Sequence, residues 1–214
     1  MKCKICGRAH KRRACEFCAR ERKWDAVKAK WRKKIFPPRI CRDLEICKPP
    51  KDFIQEHKKN SICIQGPVGS GKTIFAAMIL EDRKKRAFVE NKPFPAYFIS
   101  VPFLLSTLRN TFSAGAQQDT EMDLITLYGN IEYLLLDDLG SEKSTDWSLQ
   151  SLYIIINNRY ENLKPTIFTN NFDLDQLAEK LGDDRIPSRI HSMCYMHTLT
   201  GADRRLEGCA MKNL

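Results

Sequence analysis

Apolar residues in this chain fall into two patterns. Some form short unbroken blocks; others recur every three or four positions along longer stretches. Unbroken blocks of four to seven apolar residues mark strands buried on both faces, whereas the wider spacing marks helices with one buried side. The first pattern predicts strands over residues 61–65, 96–100, 131–137, 166–169 and 193–199. The second predicts helices over 73–85, 101–111, 121–128, 147–160 and 173–181, the last closed by Gly182. The Ser-, Gly- and Gln-containing stretch 111–120 reads as a loop. Short strands separated by helices predict an α/β fold with a mainly parallel sheet flanked by helices.

The amino-terminal quarter differs. Trp24, Val27 and Trp31 recur at spacings of three and four among lysines and arginines, predicting a helix over about 20–35. Pro37-Pro38 should stop it, and Pro49-Pro50 marks a second break. The expected division is a cysteine-rich segment 1–20, a basic helical arm 21–51 and a body 52–214. Charge follows the same division: the first 51 residues hold 18 Lys or Arg against 5 Asp or Glu, the remainder 18 against 21. A basic arm on a slightly acidic body suits a polyanion such as nucleic acid, although a solubilising surface has the same composition. Met1-Lys2-Cys3-Lys4 does not begin a secretory leader, and no apolar run is long enough to span a membrane. A cytosolic protein is expected, with its nine cysteines reduced or bound to metal.

Gly66-Pro67-Val68-Gly69-Ser70-Gly71-Lys72-Thr73 satisfies G-x-x-x-x-G-K-T between a predicted strand and a predicted helix. Its glycines let backbone N–H groups turn toward phosphate oxygens. Lys72 is expected to reach the β- and γ-phosphates of ATP, and Thr73 to ligate Mg²⁺. The block 131–136 delivers Asp137 and Asp138 to the carboxyl end of a strand, where ligands sit in open α/β sheets. Asp137 is the candidate for the magnesium shell, and Asp138 for orienting or deprotonating the attacking water. Glutamate is the commoner second acid, so the shorter Asp138 leaves open an ATP-switched adaptor with little turnover. Asn170-Asn171 follows another strand and either sets an amide beside the γ-phosphate or is a plain turn. Arg185 and Arg189 lie four apart around Pro187; from spacing alone they are arginine-finger candidates or surface residues.

Cys3-x₂-Cys6 and Cys15-x₂-Cys18 are two chelating pairs separated by eight residues. Four thiolates suit tetrahedral Zn²⁺, and about 20 residues have too little core to fold without it. The spacing also admits an iron–sulfur cluster or redox thiols; structural zinc is preferred, with His10 unnecessary as a ligand. Cys63, Cys194 and Cys209 read as plain thiols.

Taken together, these motifs resemble the AAA+ family of bacterial and phage loaders of the DnaB-type replicative helicase (DnaC/DnaI-like), with the related IstB-like transposition helper ATPases. The similarity is carried by the loop 66–73, Tyr133-Leu134-Leu135-Leu136-Asp137-Asp138-Leu139-Gly140, Pro165-Thr166-Ile167-Phe168-Thr169-Asn170-Asn171, Arg185-Ile186-Pro187-Ser188-Arg189-Ile190 and Gly201-Ala202-Asp203-Arg204-Arg205. The helix 146–160 fits as well. The resemblance implies that Asn170 is sensor 1, Arg189 the finger donated to a neighbour's ATP with Arg185 its accessory, and Arg205 sensor 2. It further implies a truncated lid, self-association into an ATP-dependent oligomer, single-stranded DNA in the channel, and a replicative helicase docked by the amino-terminal segment. A transposase on duplex DNA is the alternative partner. The chain is short beside cellular loaders, which suggests a phage or mobile-element source.

Overall fold

The computed structural model describes residues 15–111 and 120–200. Five parallel strands, β1 (Ser61–Gln65), β2 (Ala96–Ser100), β3 (Tyr133–Leu139), β4 (Thr166–Asn170) and β5 (Cys194–Thr198), form one sheet in the order β2-β3-β4-β1-β5. Alternation along the strands serves two cores. Ile62, Ile64, Leu135 and Ile167 face one side of the sheet; Cys63, Leu134, Leu136 and Phe168 face the other. The central strands β1, β3 and β4 are covered on both faces, which explains their mainly apolar blocks, whereas the edge strands β2 and β5 carry exposed positions.

The first core holds α4 (Lys72–Glu90), together with α1 (Glu16–Ile35), α2 (Pro38–Ile46) and α3 (Lys51–Glu56). The second holds α5 (Val101–Asn110), α6 (Glu121–Asn130), α7 (Asp146–Glu161), α8 (Leu174–Leu181) and α9 (Arg185–Met193). Capping boxes start three of these helices: Thr120 with Asp123, Thr145 with Ser148, and Asp173 with Gln176. Gly182 closes α8 in the left-handed region at φ 69°.

Two expectations change. Helix α1 begins at Glu16, so Cys18 lies in its first turn, and Val27 is 37% exposed while Arg32 is buried. The Arg32 guanidinium reaches Glu81 of α4 with Nε–Oε2 at 2.5 Å and Nη2–Oε1 at 2.8 Å, so its charge is paired where it is buried. Pro38 stops α1 but opens α2, because its missing N–H costs nothing at a helix start. The basic segment 21–51 packs against the body. Phe36, Ile40 and Leu44 share a core with Ile62 and Ile74, and Trp24 packs on Phe88 at 5.7 Å between ring centroids. Residues on both sides of position 52 thus share one hydrophobic core. Among the described residues, no helix is long and apolar enough to cross a membrane.

Candidate active site at the carboxyl ends of the strands

Strand β1 runs straight into the loop, where Gly66, Gly69 and Gly71 take φ of 147°, 81° and 93°. These values belong to glycine and turn successive N–H groups inward. At Gly66 a side chain has no room either: a Cβ there would sit 2.2 Å from the Leu199 carbonyl oxygen, just beyond β5. The Lys72 ammonium folds over the loop, donating to the carbonyls of Gly66 at 2.9 Å and Pro67 at 2.7 Å. Ser70 Oγ is buried beside it, with no hydrogen-bond partner among the described residues.

Opposite the loop stands Asp137, buried at the end of the apolar run of β3. Burial pushes its carboxyl up to about 6; the Thr169 hydroxyl, donating at 2.7 Å, pulls back, Asp138 pushes further, and Thr73 and Lys72 pull back less. The same Thr169 oxygen accepts the Asp138 N–H at 2.9 Å. Thr169 thus fixes both acids through one hydroxyl. Asp138 itself sits at φ 58°, in a bulge that shifts β3 against β4 between Leu136 and Leu139. Left-handed backbone at a non-glycine residue costs about 1–2 kcal/mol, and here it lifts a carboxylate out of the strand toward the loop.

A cavity of about 850 Å³ joins these groups: Gly69, Gly71, Lys72 and Thr73 on one wall, Asp137, Asp138, Ser141 and Asn171 on the other. The donor set suits Mg²⁺ and a triphosphate: a threonine hydroxyl, a desolvated carboxylate short of positive charge, and a lysine at a helix amino terminus. The desolvation has a measurable consequence. The folded-state value lies above the ordinary 3.8, so Asp137 favours the fold fully below pH 4 and that contribution is lost as pH rises through about 6. Asp137→Asn is therefore expected to raise nucleotide-free stability at pH 7.5, by at most about 3 kcal/mol, with the gain shrinking toward pH 4. Thermal unfolding at the two pH values checks this; an equal or lower melting temperature for the variant at pH 7.5 would contradict it.

Asn170, the expected sensor, is fully buried: its Nδ2 donates to Cys63 Sγ at 3.5 Å and its Oδ1 accepts the Phe172 N–H at 3.3 Å. Its neighbour Asn171 is the amide that lines the cavity. Arg185 and Arg189 share one face of α9, since Pro187 falls in the first turn, where proline is tolerated. Arg185 pairs with Asp183 at 2.6 Å, and Arg189 donates to Asn157 at 3.0 Å and Tyr153 at 3.1 Å; both guanidinium groups lie against the Tyr153 ring. Neither lines the cavity. Cys63 is a buried thiol and Cys194 a partly buried one, both pushed up by desolvation, Cys63 to about 12. Of the four candidate zinc ligands, Cys15 caps α1 and Cys18 is buried one turn on; Cys3 and Cys6 lie outside the described residues, as do Arg205 and Cys209. Among the described residues, no three His, Cys, Asp or Glu side chains gather into a metal site. Two further groups were missed by reading the sequence: Thr169, legible only as a polar position in an apolar block, and the α2 wall of Arg39, Arg42 and Asp43, which charge counting alone does not place at the cavity.

Fold and site together define a P-loop nucleotide-binding protein of the AAA+ class. The chain belongs to the IstB-like ATP binding protein family, whose profile matches residues 25–199. It is 30% identical over 151 residues to the uncharacterized protein YqaM of Bacillus subtilis (strain 168), covering 67% of this chain and 44% of YqaM. It is 29% identical over 168 residues to the phage-like element PBSX protein XkdC of the same organism, covering 72% and 58%. The chain thus spans about half the length of these curated relatives. Among solved structures, it is similar to the DnaC helicase loader, with TM-score 0.61, 26% identity, and 77% of this chain and 100% of that one covered. It is likewise similar to DnaI, with TM-score 0.56, 29% identity, and 76% and 84% covered.

Proposed function

We propose that this protein is an ATPase that loads a DnaB-type replicative helicase onto single-stranded DNA. The observation that carries the reading is the likeness to the DnaC helicase loader over the whole of that chain. In this reading Lys72 exchanges its two loop carbonyls for phosphate oxygens, and the loop N–H groups cradle the β-phosphate. Mg²⁺ held by Thr73 and Asp137 would neutralise charge on the β- and γ-oxygens. Asp138, held by its own N–H on Thr169, orients the attacking water and accepts its proton, while Asn171 or Asn170 supplies an amide on that side. Arg189, aided by Arg185, acts on the ATP of a neighbouring subunit, which fits their distance from their own cavity. Arg205 serves as sensor 2, and Cys3, Cys6, Cys15 and Cys18 hold one zinc ion.

A second reading, favoured by the family match, is a transposition helper that recruits a transposase on duplex DNA. Tagged protein held with a non-hydrolysable ATP analogue in host extract distinguishes the two. Enrichment of the replicative helicase is expected; a transposase without helicase would overturn the loader reading. The same preparation is expected to carry about one zinc per chain by elemental analysis, and less than about a tenth would remove the zinc assignment.

A further inference from the structure

Helix α2 has two unlike sides. Ile40 and Leu44 are buried in the core, 6% and 5% exposed. Arg39 and Arg42 carry side chains that are 63% and 70% exposed, and both line the same cavity as Lys72, Thr73 and Asp138. Between them Asp43 meets Arg42 at 3.1 Å and Arg39 at 4.0 Å. One carboxylate against two guanidinium groups leaves this wall with a net positive charge. An anion entering the cavity then meets cations from two directions, the loop and α2.

The wall is also fixed in place. Arg32 of α1 donates to the Leu44 carbonyl of α2 at 3.1 Å and grips Glu81 of α4 with its other donors. Helix α4 starts at Lys72, so one buried guanidinium ties the α2 wall to the helix that begins at the loop. A cationic wall held this way adds contacts without the cost of ordering a loose segment.

We propose that Arg39 and Arg42 bind, in cis, the phosphate chain of the nucleotide held by the loop. The inference rests on the reading of the loop as an ATP site and adds a second cationic wall to it.

The test is an isothermal titration of the full chain with Mg-ATP at low salt. Arg39→Ala/Arg42→Ala is expected to bind ATP about tenfold more weakly, a change of about 1.4 kcal/mol, with an unchanged melting temperature because both side chains are exposed. Arg39→Lys/Arg42→Lys should recover part of the loss. Lys33→Ala/Lys34→Ala removes the same charge from exposed positions on α1 outside the cavity and should bind ATP like the wild type. If the arginine double variant stays within twofold of the wild type, or the lysine variant loses as much, the inference is overturned. If the wild type itself fails to bind ATP, the reading of the loop falls, and this inference with it.

Discussion

Lys72→Ala is expected to weaken ATP binding by at least about thirtyfold while leaving the fold intact. Lys72 is 5% exposed at the start of α4, and its ammonium is held by two loop carbonyls. Replacing it removes a charge-assisted partner from a desolvated anion site, a change worth about 2–5 kcal/mol. The two carbonyls it leaves belong to a half-exposed loop, where water replaces the bond, so stability should move little. Calorimetric titration of wild type and variant at matched salt provides the measurement. Unchanged affinity would mean that the loop does not hold the triphosphate.

The largest stability effect is expected at Arg159, at the other end of the sheet. This side chain is fully buried and donates to Thr166 Oγ1 at 2.8 Å and to the carbonyls of Tyr128 at 2.9 Å, Ile131 at 2.8 Å and Pro165 at 2.9 Å. Burial pulls its pKa down to about 9, with no neighbouring charge to offset it. Five donors in a planar fork gather the end of α6 and the residues leading into β3 and β4. Arg159→Met keeps most of the volume but strands several carbonyls in a dry interior, each costing about 1–3 kcal/mol. The total loss should be about 3–5 kcal/mol, close to the collapse seen when one partner of a buried charged network is removed. Urea unfolding with an unchanged slope is the readout. A loss below 1 kcal/mol would mean that water reaches these carbonyls. ATP affinity of the folded variant should match the wild type, because the nucleotide cavity lies at the opposite strand ends.

The nucleotide site was legible because its chemistry is local. Gly66, Gly69, Gly71, Lys72 and Thr73 carry their geometry in eight consecutive residues, and Asp137 and Asp138 end an apolar block. What was not legible depends on where elements stop. The Asn pair straddles the end of β4, so Asn170 turns inward and Asn171 is the first residue free of the strand; one position of register decides which amide meets the cavity. Pro38 reads as a break and Pro187 as a disturbance between two arginines, yet both sit in the first turns of helices, α2 and α9, where proline fits. The burial of Arg32 depends on Glu81, 49 residues away, and no periodicity within α1 announces that pairing.

The sharing of a core between α1, α2 and α4 bears on how such a protein changes allegiance. A recognition module on a flexible tether can be exchanged whole, since its stability is its own. Here Phe36, Ile40, Leu44 and the Arg32–Glu81 grip belong to the engine as much as to the basic segment. On the proposed reading, in which the amino-terminal segment docks the partner, a new partner would have to be met residue by residue on outward-facing positions of α1 such as Arg22, Lys23, Lys30 and Lys33, while the inward residues stay tied to the helix behind the phosphate loop.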